Sequence, residues 1–281
     1  MSVVLILIVG LTISAMVNKP ENEEVDLAGS ITEEMLIGAD LYSFYCAECH
    51  GAEGEGGEVK GVEGLENVVL KPINSMDEMY TRSDDTLFNI MNYGQQDLGM
   101  PPYGKAYGGE LSKSELDTIV TFMRYTWDDR AEVPADAAAA FAIPLPGTDE
   151  IPSYEVHVQP VVKRYCISCH RPGKKNNNYL MGTYEEVMTS GDNVDTNITP
   201  GSRYNNTIRM LHREDIEDVG GAMPPKSPLK DEYIDVFERW ILAGAPETAE
   251  DAAALMSISS HADGEAPVEN ENGSSEAAEA Q

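Results

Sequence analysis

The stretch YCAECHG occupies residues 45–51, and a second copy of its pattern, YCISCHR, occupies residues 165–171. The chain has four cysteines, and these two segments use all of them: Cys46 and Cys49 in the first, Cys166 and Cys169 in the second. Each pair is followed at once by a histidine, His50 or His170. What needs two thiols and an imidazole at that spacing, twice over, decides how the rest of the sequence is read.

A disulfide across a two-residue gap is a strained small loop that suits redox catalysis better than a structural staple. A thioredoxin-like pair expects one motif in a strand–helix setting. A zinc site from two Cys-x-x-Cys pairs expects closer spacing, whereas these pairs are more than a hundred residues apart, and zinc does not require a histidine after each. Cys-x-x-Cys-His is instead the attachment signal of c-type haem. Each thiol adds across a vinyl group on one porphyrin edge, and the adjacent imidazole is placed beneath the iron. The sequence therefore predicts two covalently attached haems, one on Cys46 and Cys49 with His50 on the iron, the other on Cys166 and Cys169 with His170.

The opposite axial ligands are sought about fifty residues further on. Met100 follows His50 and Met223 follows His170 at nearly matched distances, each in Met-Pro-Pro after a glycine-containing turn. Two prolines fix φ and remove competing N–H donors, which suits a thioether held rigidly over a flat cofactor. The remaining methionines read as packing residues. His212 is the runner-up in the second half, His157 reads as a surface side chain, and His261 falls in the tail. Iron held by His and Met on both sides has no open position, and an apolar His/Met site raises the reduction potential relative to bis-His. That points to electron transfer.

Around these motifs the composition is strongly acidic. Asp and Glu number 49 against 19 Lys and Arg, a formal net charge of −30. Such a field disfavours nucleic acid and anionic membrane surfaces and attracts cationic partners. Residues 2–17, SVVLILIVGLTISAMV, are apolar and uncharged. At helical rise they span roughly 24 Å, slightly short of the ~30 Å hydrocarbon core. They read as a signal anchor or signal peptide over residues 1–18, without a basic start or a clear cleavage site. Either reading sends the rest of the chain to the periplasmic or extracytoplasmic face of a membrane.

The predicted organisation is all-α: an apolar N-terminal helix, a tether over 19–30, a first helical domain over 31–130, an Ala/Pro linker over 131–150, a second domain over 151–247 and a disordered acidic tail over 248–281. Thr32 reads as a helix N-cap, with Ile37, Leu41 and Phe44 on one face of the helix that enters the first motif. The Gly-rich run GAEGEGGEVKGVEG predicts an irregular loop, and residues 83–93 a helix. Ser112 and Glu115 form a capping box ahead of the stripe Leu116, Ile119, Val120, Met123 and Trp127, ending near Asp128. In the second half a helix is expected near Tyr184–Thr189. Another begins at Pro228, carrying Tyr233, Val236, Phe237, Trp240 and Ile241 until Gly244. Each predicted domain is small, so the porphyrin would supply much of its hydrophobic centre.

These motifs resemble known proteins. Residues 34–127, with GADLYSFYCAECHG, MPPYG and the capped last helix, resemble a class I cytochrome c domain, in which Gly38 and Tyr42 take the places where the first helix packs on the last. Tyr42 stands where Phe is commoner. Residues 151–246, with VQPVVKRYCISCH, ITPGSRYNNTIRML, GAMPP and FERWILAGAP, resemble a different cytochrome c-like family first described in planctomycete proteins. The resemblance implies two small helical folds, each wrapped around one covalent haem: Cys46, Cys49, His50 and Met100 serving the first, and Cys166, Cys169, His170 and Met223 the second.

The function expected from the sequence is electron transfer by a membrane-tethered diheme carrier or a subunit of a larger respiratory or photosynthetic complex, such as alternative complex III. Its partners would be redox proteins with basic docking surfaces. A diheme peroxidase-type enzyme is the alternative, and it needs one iron with an openable face. A sensor or interaction role, with haem as a structural core only, is a third reading.

Overall fold

The computed structural model describes residues 27–60, 62–65, 67–174 and 176–262. The apolar segment 2–17, most of the tether and residues 263–281 lie outside the described residues. Among those described, no helix is long and apolar enough to cross a membrane. Among the described residues the fold is all-α apart from one two-residue ladder, Gly57–Glu58 paired antiparallel with Val69–Leu70. The chain separates into two compact units, Met1–Tyr42 with Asn74–Ala142, and Ser43–Ile73 with Ile143–Gln281. The segment bearing Cys46, Cys49 and His50 therefore clusters with the second unit, alongside the other Cys-x-x-Cys-His.

In the first unit, helix α1 (Leu27–Tyr45, which runs on past the unit boundary) crosses a later helix, Lys113–Trp127. Thr32 lies inside α1 and does not cap it, because the helix-forming residues before it carry the helix back to Leu27. The buried positions on α1 are Met35, Gly38, Tyr42 and Ser43, while Ile37 is 41 % exposed. The expected face of Ile37, Leu41 and Phe44 is thus displaced. The reason is Gly38: with no Cβ it lets α1 approach the backbone of Thr118 and the side chain of Phe122. Tyr42 then stacks at 5.3 Å from Phe122 and 5.2 Å from Trp127. The capping box of Ser112 and Glu115 is formed, the predicted stripe from Leu116 to Trp127 is buried, and Asp128 is the C-cap.

Asp84–Tyr93, capped by Ser83, packs on this last helix. The expected Ala/Pro linker contains a helix, Ala135–Phe141, begun by Pro134 and favoured by its run of alanines. It brings Phe141 to 5.8 Å from Phe122.

The core of the second unit gathers Tyr154, Val158, Val161 and Val162 against Tyr233, Val236, Phe237, Trp240 and Ile241. The approach to the second motif is a single π turn, Tyr154–Val158, followed by the helix Gln159–Tyr165. Pro160 explains the break, since it has no N–H for a regular helical bond. The last core helix starts at Asp231, three residues after the expected Pro228, and stops where Gly244 takes φ 105°. The acidic tail is helical over Ala249–Ala262. Thr248 and Asp251 exchange capping hydrogen bonds at its start, and Ala252 is buried, so an alanine-rich run that reads as disordered gains both a cap and a packing surface.

Candidate functional site

Both Cys-x-x-Cys-His segments fold into the same turn at the end of a helix. The amides of Cys49 and His50 donate to the carbonyl of Cys46 at 3.2 and 2.9 Å, and those of Cys169 and His170 donate to the carbonyl of Cys166 at 3.1 and 3.0 Å. All four cysteines are free thiols. Burial, and then the neighbouring cysteine, pushes Cys46 and Cys166 up to about 12, and Cys49 and Cys169 are also raised, chiefly by burial. These are neutral thiols, unlike the thiolates of a dithiol exchange site. Among the described residues, no group of three or more His, Cys, Asp or Glu converges as a metal cage.

The two imidazoles are neutral as well, which is the state a metal ligand requires. Burial first, then the charge of Lys226, lowers His50 to about 4, and its buried Nδ1 has no hydrogen-bond partner. Burial also lowers His170. Its Nδ1 lies 2.9 Å from the carbonyl oxygen of Tyr179. A carbonyl can only accept, so Nδ1 carries the proton and Nε2 keeps its lone pair, the arrangement that orients a ligating imidazole.

Next to His170 is a cavity of about 310 Å³, lined by Cys166, Cys169, His170, Met223, Tyr179 and Met210 among others. Two thiols, a neutral imidazole and a thioether on one wall-enclosed space are the donor set for a covalent haem with His/Met ligation, so the residues present fit that group. Met223 is held by its amide, which donates to the carbonyl of Met210 at 3.0 Å, and by the two prolines that follow. Met210, one of the methionines that the sequence reads as packing residues, lines the same cavity.

Met100 belongs to the first unit. Its backbone exchanges two hydrogen bonds with Gln95, at 2.9 and 3.1 Å. Gly94 before that loop takes φ 71°, where a Cβ would meet Pro101 and Pro102 within 2.6 Å. The backbone at Met100 is thus tied to Gln95 and packed against Gly94.

The remaining histidines stand apart. His212 is half exposed, 2.6 Å from Glu238, and does not line the cavity. His157 is buried and not on the surface as expected: the π turn before Pro160 carries it inward, where its Nδ1 accepts from the amide of Ser153 at 3.2 Å. His261 falls on the terminal helix.

Comparison with known proteins bears on the first half. Neither the curated proteins nor the solved structures contain a match to this chain. Residues 33–123, about a third of the chain, match the family model described as Cytochrome C oxidase, cbb3-type, subunit III. That span is similar to a c-type cytochrome domain, and the similarity supports electron transfer through a covalently bound haem and its iron.

Proposed function

We propose that the chain is a diheme c-type cytochrome that passes electrons between two His/Met-ligated centres. His50 and Met100 would serve the first, and His170 and Met223 the second. The observation that carries this reading is the second cavity, which both thiols of the repeated turn, a neutral imidazole and Met223 line together. Bound haem supplies one-electron chemistry. The protein's part is to hold the thioether linkages, keep both imidazoles neutral, and present sulfur from a stiff loop on the far side.

With both axial positions filled, neither site offers a place for peroxide, so the carrier reading is preferred to the peroxidase one. The apolar segment 2–17 would tether the chain on the extracytoplasmic face, as a free carrier or a subunit of a larger respiratory or photosynthetic complex. The net charge of −30 favours partners with basic docking surfaces. The test is to produce the full chain in a host with a c-type haem maturation system, then measure haem per chain by pyridine haemochrome after denaturation. Two covalent haems and two reversible couples are expected. One haem, or a high-spin iron at rest that turns over peroxide, overturns the proposal.

A further inference from the structure

Lys226 lies three residues beyond Met223, in Met223-Pro224-Pro225-Lys226. Within the second unit its side chain crosses to the first attachment turn. The ammonium donates to the carbonyl oxygen of Cys49 and, at 3.3 Å, to that of Gly56. Both acceptors are neutral, and the carboxylate acting on this ammonium is that of Glu55. Other fastenings in this unit hold the first attachment segment to residues 164–174 instead. Glu48 pairs with Lys174, the Tyr165 hydroxyl donates to Glu53, and the Ser43 hydroxyl donates to the carbonyl of Arg164 at 3.0 Å. Lys226 is thus the half-buried cation set against the backbone that carries His50.

A fixed positive charge beside an iron site penalises the more positive, oxidised state. We propose that Lys226 is a positioning residue for the first haem, carried on the ligand loop of the second. It pins the Cys46–His50 turn and biases the iron bound there toward reduction, so that the loop holding Met223 and the first redox centre are coupled. This inference rests on the diheme reading above.

The test uses the full chain carrying its haems, with Lys226→Met, Lys226→Gln and Lys226→Arg. Spectroelectrochemical titration reads both couples, and Met223→His marks the one belonging to the second haem. Hydrogen exchange reads the amide of Gly56, which donates to the carbonyl of His50 at 2.7 Å. The two neutral variants are expected to favour oxidation of the first centre by about tenfold, a fall of ~59 mV for a one-electron couple. They should also speed exchange at Gly56, while Lys226→Arg should hold the potential near that of the parent. With two haems present, an unmoved first couple in both neutral variants overturns the inference, as does an Arg variant shifted as far as the neutral ones. A haem count below two overturns the diheme reading itself, so the two failures are distinguishable.

Discussion

Gly38 on α1 faces the carbonyl oxygen of Thr118, and a Cβ at position 38 would stand 2.0 Å from that oxygen and 2.8 Å from the Cβ of Phe122. The obstacle is backbone, which cannot rotate away. Gly38→Ala should therefore push the two helices apart and destabilise the protein by about 1–3 kcal/mol or more, the usual cost of overpacking. Urea unfolding followed by circular dichroism checks this, with the midpoint falling at unchanged slope. An Ala variant as stable as the parent would mean that the helices do not cross at Gly38.

Asp128 closes the helix Lys113–Trp127 with its side chain only 5 % exposed. It accepts from Arg130 at 2.8 and 2.6 Å and from Arg124 at 3.1 Å. These bonds, Arg130 first, hold its carboxyl far below the usual carboxylate range. A depressed acid stabilises the fold fully above its unfolded value of ~3.9 and loses that contribution as pH falls toward the folded value. Asp128→Asn should cost about 1–3 kcal/mol at neutral pH and make the stability curve flatter below about pH 4. Denaturant midpoints measured from neutral pH down to acid for both proteins decide it.

How much of this could be read beforehand follows from how local each feature is. The two Cys-x-x-Cys-His turns were legible because both thiols and the imidazole lie within one turn of chain. The Ser112–Glu115 box and the stripes ending in Trp127 and Ile241 are likewise set by neighbours three and four residues away. The face of α1 was misread because Ile37 and Leu41 are as apolar as Met35, and the deciding partner, Thr118, is remote in sequence. The contacts of Lys226 on Cys49 and of Lys174 on Glu48 join residues too far apart for any periodicity to signal. The helix at 249–262 was hidden by composition, since alanine and glutamate suit both a solvated coil and a helix, and only the cap at Thr248 separates them.

Burial lowers His157, partly offset by Glu150, whose carboxylate lies 3.5 Å from its Nε2, and assisted by Arg239. For a base whose folded value lies below its unfolded one near ~6.5, stability is complete above that pH and declines as pH falls beneath it. His157→Gln carries no charge at any pH. The variant should be less stable near neutrality, where the bond from Ser153 is weakened, and its stability should change less than the parent's between about pH 6.5 and 5. Thermal melts across that range, on protein carrying its haem, give the comparison; parallel curves would show that His157 is not the titrating group.

Met210 and Met223 both reach the cavity beside His170, and only one sulfur can complete a His/Met site. Met210 sits on the short helix Asn206–Leu211, and its methyl group packs beside Gly220, 3.5 Å from where a Cβ there would stand. Met223 is followed by two prolines and fixed at its amide, which limits the loop's freedom to withdraw the sulfur. The proposed roles are therefore packing for Met210 and ligation for Met223. Met210→Leu conserves volume and should cost less than ~1.5 kcal/mol with both couples unmoved. Met223→His should lower one couple and leave the other, because a second imidazole favours ferric iron relative to a thioether. Redox titration of the two variants against the parent separates the assignments. A shift in Met210→Leu with none in Met223→His would exchange the two roles and place the ligand on the helix.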